Sequence, residues 1–96
     1  MVTWLERLRA ANAERGNLCV GIDPMPKVLD AWELGHDVIG LERCARGIVE
    51  ELGEQVAVFK PQSAFFEAYG SAGVAVLERV LADIRTSGDL SLLDVK

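Results

Sequence analysis

Three short apolar runs set the frame of this chain: Leu18-Cys19-Val20-Gly21-Ile22, Val56-Ala57-Val58-Phe59 and Leu90-Ser91-Leu92-Leu93. Each is too short for a helix and ends in charge: Asp23, Lys60, and then Asp94 with Lys96. Pro24 and Pro61 follow the first two, and proline forbids easy continuation of a strand. The runs begin at residues 18, 56 and 90, so 38 and 34 residues separate successive starts. That is the spacing of βα units, joined by right-handed crossovers into a parallel sheet. The fold class is therefore α/β.

The intervening segments read as helices. Thr3 to Arg15 opens with the T-x-x-E capping box of Thr3 and Glu6 and is followed by Gly16. Trp4, Leu5, Leu8 and Ala11 mark its apolar stripe. Residues 25–38 form an ordered connection with a short helix around Pro26 to Trp32, and His36 is a solvated turn residue within it. Residues 40–52 carry the clearest amphipathic pattern, Leu41, Cys44, Ala45, Ile48, Val49 and Leu52, and Gly53 stops the helix. Glu42, Arg43, Arg46, Glu50 and Glu51 lie off that stripe, on a solvated face. Gln62 to Tyr69 is a short helical segment with Ser63 as cap and Phe65, Phe66 and Tyr69 as core. Ser71 to Thr86 is a longer helix, buried through Val74, Leu77, Val80 or Leu81, and Ile84, and the last strand runs from Leu90 to Lys96.

Half of the 96 residues are apolar, which is globular rather than disordered material. The length allows one domain, residues 1–96, or part of one. Charged residues make up 26% and the net charge is −5, a balance that argues against a nucleic-acid partner, which would need a basic face. The opening Met-Val-Thr-Trp-Leu-Glu-Arg-Leu-Arg places charges where a signal peptide needs an apolar core. No window reaches membrane-spanning length. The expected setting is intracellular, in the cytoplasm, with no membrane partner. Cys19 and Cys44, the only cysteines, read as small hydrophobes, and their separation is not a metal-binding spacing. No metal site is expected.

The chemistry follows from the strand ends. Right-handed parallel crossovers place Asp23, Lys60, Asp94 and Lys96 on one rim, where α/β barrels carry their active sites. Residues i and i+2 of a strand share a face, so Asp94 and Lys96 point the same way, about 7 Å apart. A fixed array of carboxylates and ammoniums stabilises developing charge without reorganising. With Asp94 beside it, Lys96 stays protonated and is placed to act as a general acid. The sequence has no phosphate-cradling glycine loop and no cluster of metal-ligating side chains. The natural inference is cofactor-free acid–base or electrostatic catalysis on a small substrate.

With these residues assembled, the chain resembles the N-terminal part of orotidine 5′-phosphate decarboxylase, most closely the longer bacterial subgroup. The resemblance runs along essentially the whole chain. It is carried by Leu18-Cys-Val-Gly-Ile-Asp23-Pro24, Phe59-Lys60-Pro-Gln-Ser-Ala-Phe-Phe-Glu67, Gly70-Ser-Ala-Gly73-Val and Leu92-Leu-Asp94-Val-Lys96. The second and last of these stretches are the specific ones. The resemblance implies a (β/α)₈ TIM barrel that converts orotidine monophosphate to uridine monophosphate and carbon dioxide, the last step of pyrimidine (UMP) synthesis, without a cofactor. It implies that Asp94 lies against the substrate carboxylate and that Lys96 protonates the pyrimidine carbon that loses carbon dioxide. Lys60 would join the same charge network and contact the ribose, and Asp23 would bind a ribose hydroxyl. It also implies a homodimer for the full-length enzyme.

The departure from the family is one of length. A whole (β/α)₈ barrel takes about 250 residues. This chain supplies an N-terminal helix, three parallel strands and their helices. The family motif goes on as D-x-K-x-G-D-I, and its second aspartate reaches the neighbouring subunit's site. The expectation is a partial barrel that is inactive by itself. Two other readings compete. One is a sugar-phosphate decarboxylase or synthase of the same superfamily, which shares the D-x-K strand end. The other is a small non-enzymatic α/β interaction module.

Overall fold

The computed structural model describes residues 3–16 and 18–95. Its elements are α1 (Trp4–Arg15), β1 (Cys19–Ile22), α2 (Pro26–Ala31), α3 (Val38–Leu52), β2 (Val58–Pro61), α4 (Ser63–Glu67), α5 (Gly70–Thr86) and β3 (Leu90–Ser91). The strands form one sheet in the order β1-β2-β3, and both pairings are parallel. Cys19, Val58 and Leu90 lie in one row across it.

The sheet buries one face more fully than the other. Helices α3 and α5 pack together over the outer face. There Ile22, Leu41, Val49, Val56, Phe59, Phe66, Val80 and Ile84 form one fully buried cluster. Burying an aliphatic or aromatic side chain of this size contributes about 1.5–3 kcal/mol, so this layer carries most of the stability. Gly73 lets α4 and α5 approach: a Cβ there would stand 2.0 Å from the Phe66 carbonyl oxygen. On the inner face a smaller cluster joins Leu8 and Ala11 of α1 to Ala57, Val58 and Leu90.

Several boundaries differ from the sequence reading. The capping box forms, with Thr3 Oγ1 accepting from the Glu6 N–H at 3.1 Å. The apolar stripe of α1 is only half used, because Trp4 is 44% and Leu5 52% exposed while Ala11 is buried. Asp37 caps α3 by accepting from the Gly40 N–H at 2.7 Å, which starts that helix at Val38 rather than at residue 40. In α5 the buried line runs through Gly73, Val76, Leu77, Val80 and Ile84. Val74, expected inside, is exposed, since the close approach to α4 is made by Gly73. Ser63 is the first residue of α4 rather than its cap. Val56 does not share the inner face of Val58. The chain bends at Ala57 and Val56 joins the outer cluster. Cys44 is buried as expected and burial pushes its thiol pKa up, whereas Cys19 is exposed. His36 is exposed and paired with Asp30 at 2.7 Å.

Two charged features were not visible as such in the sequence. Arg46 binds Asp83 at 2.7 Å and Glu42 at 2.9 Å, and Arg79 binds Glu42 at 2.7 Å, tying α3 to α5. Hydrogen bonds from Arg79 and then Arg46 hold the Glu42 carboxyl below its ordinary value. These pairs are largely solvated, so each contributes little. At the opposite end of the sheet from the charged rim, Arg15 pairs with the buried Asp89 and donates to the Gly53 carbonyl at 2.9 Å. Burial pushes the Asp89 carboxyl up while Arg15 pulls it down, and the net direction is up.

The last strand is shorter than the sequence suggests, yet its path continues. Leu90, Leu92 and Asp94 donate in turn to the carbonyls of Ala57, Phe59 and Pro61 at 3.0, 2.9 and 2.9 Å. Among the described residues beyond Ser91, the one bridge is Gln62 to Asp94. The expected end of this strand at Lys96 lies outside the described residues. Among those residues β1 and β3 each have a neighbour on one side only, and Leu92 and Leu93 are 49% and 40% exposed. Apolar surface beside an open strand edge favours association. Purified residues 1–96 are therefore expected to run above monomer mass, or to give weak near-UV dichroism alongside helical far-UV dichroism. A monomer that unfolds cooperatively would contradict this.

Candidate functional site

The parallel order of the strands puts their C-terminal ends at one rim, and the alternation of the strands decides which side chains share its inner face. Counting from the row of Cys19, Val58 and Leu90, the next inner row pairs Gly21 with Lys60. The row above it holds Gln62 and Asp94, joined by their bridge. Asp23 follows β1 on the same alternation.

Asp23 is half-buried and folds back over its own strand. A Cβ on Gly21 would stand 2.8 Å from Asp23 Oδ2, so the glycine makes the space this carboxylate occupies. The chain then turns, with the Met25 N–H donating to the Asp23 carbonyl at 2.7 Å, and Pro24 is buried. Gly21 is in register with Lys60, so the space the Asp23 carboxylate occupies adjoins the row that carries Lys60. Lys60 itself is exposed, and no described carboxylate forms an ion pair with it.

Asp94 is held more firmly. Its N–H donates to Pro61 and its carbonyl accepts from Ser63 N–H, both at 2.9 Å. Its carboxylate accepts from Gln62 Nε2 at 3.1 Å. Gln62 in turn donates its backbone N–H to the Ile22 carbonyl at 3.1 Å, so it links the ends of β1 and β3. The rim thus gathers Asp23, Lys60 and Asp94 on one face of one sheet. Lys96, expected to complete the array, lies outside the described residues.

Gln62 is the residue that reading the sequence for charge passed over. Its signal was present: it stands two residues beyond Lys60 and so shares that lysine's face. Among the described residues no group of three or more His, Cys, Asp or Glu side chains could hold a metal ion. No helix among them is long and apolar enough to cross a membrane. A concavity of about 670 Å³ is at the other end of the sheet, lined by Glu14, Glu50, Glu51 and Glu54 among others. It shares no residue with the rim.

No family model matches the chain. Whole-chain relatives are nonetheless clear. Orotidine 5′-phosphate decarboxylase of Salinispora tropica is 61% identical over 96 residues, all of this chain and 34% of that protein. The enzyme of the same name from Streptomyces coelicolor is 56% identical over 90 residues, 94% of this chain and 32% of that protein. Among solved structures, one from Streptomyces avermitilis assigned to the same enzyme superposes with a TM-score of 0.91 at 59% identity, over 94% of this chain and 32% of that one. Leishmania donovani UMP synthase superposes with a TM-score of 0.80 at 26% identity, over all of this chain and 19% of that one. The chain spans about a third of the length of the curated relatives it matches. Its α/β fold with three parallel strands is part of the TIM barrel of these proteins. Along its entire length, the chain matches a third-length stretch of the orotidine 5′-phosphate decarboxylases.

Proposed function

We propose that residues 1–96 are part of a single barrel domain that decarboxylates orotidine monophosphate, and that they carry the charged half of its site. The observation that supports this most directly is the placement of Asp23, Lys60 and Asp94 at one rim, within a chain 61% identical to a decarboxylase.

The proposed chemistry needs no cofactor. Asp94 stands against the substrate carboxylate and disfavours it relative to the transition state, in which that charge leaves as carbon dioxide. The carbon–carbon bond breaks with its electron pair left on the ring carbon. The Lys96 ammonium gives a proton to that carbon, forming uridine monophosphate, and recovers a proton from water. Lys60 contacts the ribose and balances the charge of Asp94, and Asp23 accepts from a ribose hydroxyl. We further propose a homodimer for the complete protein, acting in the cytoplasm with a nucleotide as its small-molecule partner and with neither nucleic acid nor membrane. The sugar-phosphate enzyme and the non-enzymatic module keep no observation of their own in the fold or the site.

A chimera tests this reading. The Salinispora tropica enzyme carrying residues 1–96 of this chain in place of its own matching stretch is expected to decarboxylate orotidine monophosphate. The 96-residue chain alone is expected to show no turnover above the enzyme-free background, because binding energy from remote substrate groups supports catalysis. An inactive but folded chimera, or an active isolated chain, would contradict the respective claim.

In the same chimera Lys96→Ala is expected to lower turnover by at least about 10²–10⁴-fold, the usual contribution of a placed general acid, while nucleotide binding largely survives. A loss under about tenfold would remove Lys96 from the role of proton donor.

Lys60→Ala and Asp94→Ala are expected to be coupled. Binding of 6-azauridine monophosphate to the double variant should be less damaged than the two single losses combined. Strict additivity would separate the two residues into independent contacts.

A further inference from the structure

Gln62 is the one polar side chain at the rim whose two ends have opposite fates. Its Nε2 donates to Asp94 Oδ2 at 3.1 Å. Its Oε1 is buried and has no hydrogen-bond partner. The amide cannot gain by turning over, since that would set its oxygen against the carboxylate and leave the NH₂ group buried. Its backbone is equally constrained. The Gln62 N–H is bound to Ile22, and the residue is bridged in parallel to Asp94. A buried polar atom without a partner is costly, and an apolar side chain of similar size would avoid that cost. The interaction that the glutamine side chain does make is its bond to Asp94.

We infer that Gln62 is a positioning residue. It helps to hold the Asp94 carboxylate in a fixed orientation on the inner face of the rim through a charge-assisted hydrogen bond. The inference rests on the decarboxylase reading for its catalytic consequence, but the clamp itself does not. Because Asp94 acts in that reading on the difference between bound substrate and transition state, loosening it should appear in kcat more than in KM. The clamp also reaches across the sheet. Gln62 carries it from β2 to β3 while its backbone is tied to β1, so the orientation of Asp94 depends on the register of all three strands.

The test is Gln62→Leu in the chimera described above. Losing a hydrogen bond to a charged group is expected to lower kcat by about 10- to 100-fold, with KM changed less than about threefold. Thermal stability should stay the same or rise, because the buried unpartnered oxygen is gone. A kcat within about twofold of the unsubstituted chimera, or equal losses in kcat and stability, would overturn the inference. A second measurement keeps it separate from the reading it builds on. Thermal unfolding of Gln62→Leu, Asp94→Asn and the double variant should be non-additive whether or not the chimera turns over substrate. An inactive chimera with coupled unfolding would remove the decarboxylase reading and leave the clamp standing. Additive unfolding would remove the clamp.

Discussion

The parallel pairing of three short strands is the constraint on which the rest depends. Once β1, β2 and β3 run the same way in sequential order, their charged ends have to meet at one rim. Alternation then sorts the neighbours, so that Lys60 shares its row with Gly21 and Asp94 shares its row with Gln62. None of these side chains needs to be guided there individually. The large outer cluster of α3 and α5 fixes the sheet, and the sheet fixes the rim.

The same arrangement explains what is unsatisfied. The outer face is closed by two helices, whereas the smaller cluster on the inner face is joined by α1 through Leu8 and Ala11. Cys19 and Leu92 therefore remain exposed on a face that a closed barrel would cover. Asp89, buried just before β3 and paired with Arg15, leaves its Oδ2 without a partner among the described residues. The charged end is firm where it depends on backbone bonds within these strands, as at Asp94, and open where it depends on anything else, as at Lys60.

Much of this was legible in the residues. The spacing of the apolar runs carried the strand order, and the Thr3–Glu6 and Gly53 signals carried helix ends. The charges at Asp23, Lys60 and Asp94 carried the rim, because each follows directly on a short apolar run. What escaped depended on distances between helices rather than along them. Val74 was expected inside because it is apolar, but the contact with α4 is made by Gly73, which turns Val76 inward instead. Trp4 and Leu5 follow a regular stripe, yet only part of it meets a partner within this chain. Val56 lies in the outer cluster rather than on the face that alternation from Val58 gives, because the chain bends at Ala57. Gln62 was passed over because it bears no charge and because it reads as the start of the following helix, whereas its bridge to Asp94 extends the strand alternation beyond Pro61.

The central claim is that one sheet face presents Asp23, Lys60 and Asp94 to a single nucleotide. A crystal structure of the chimera with 6-azauridine monophosphate bound tests it most directly. The expected result places the ring over Lys60 and Asp94, with a ribose hydroxyl about 2.6–3.0 Å from an Asp23 carboxylate oxygen. A nucleotide bound away from this rim, or one that leaves Asp23 and Lys60 without contact, would contradict the account.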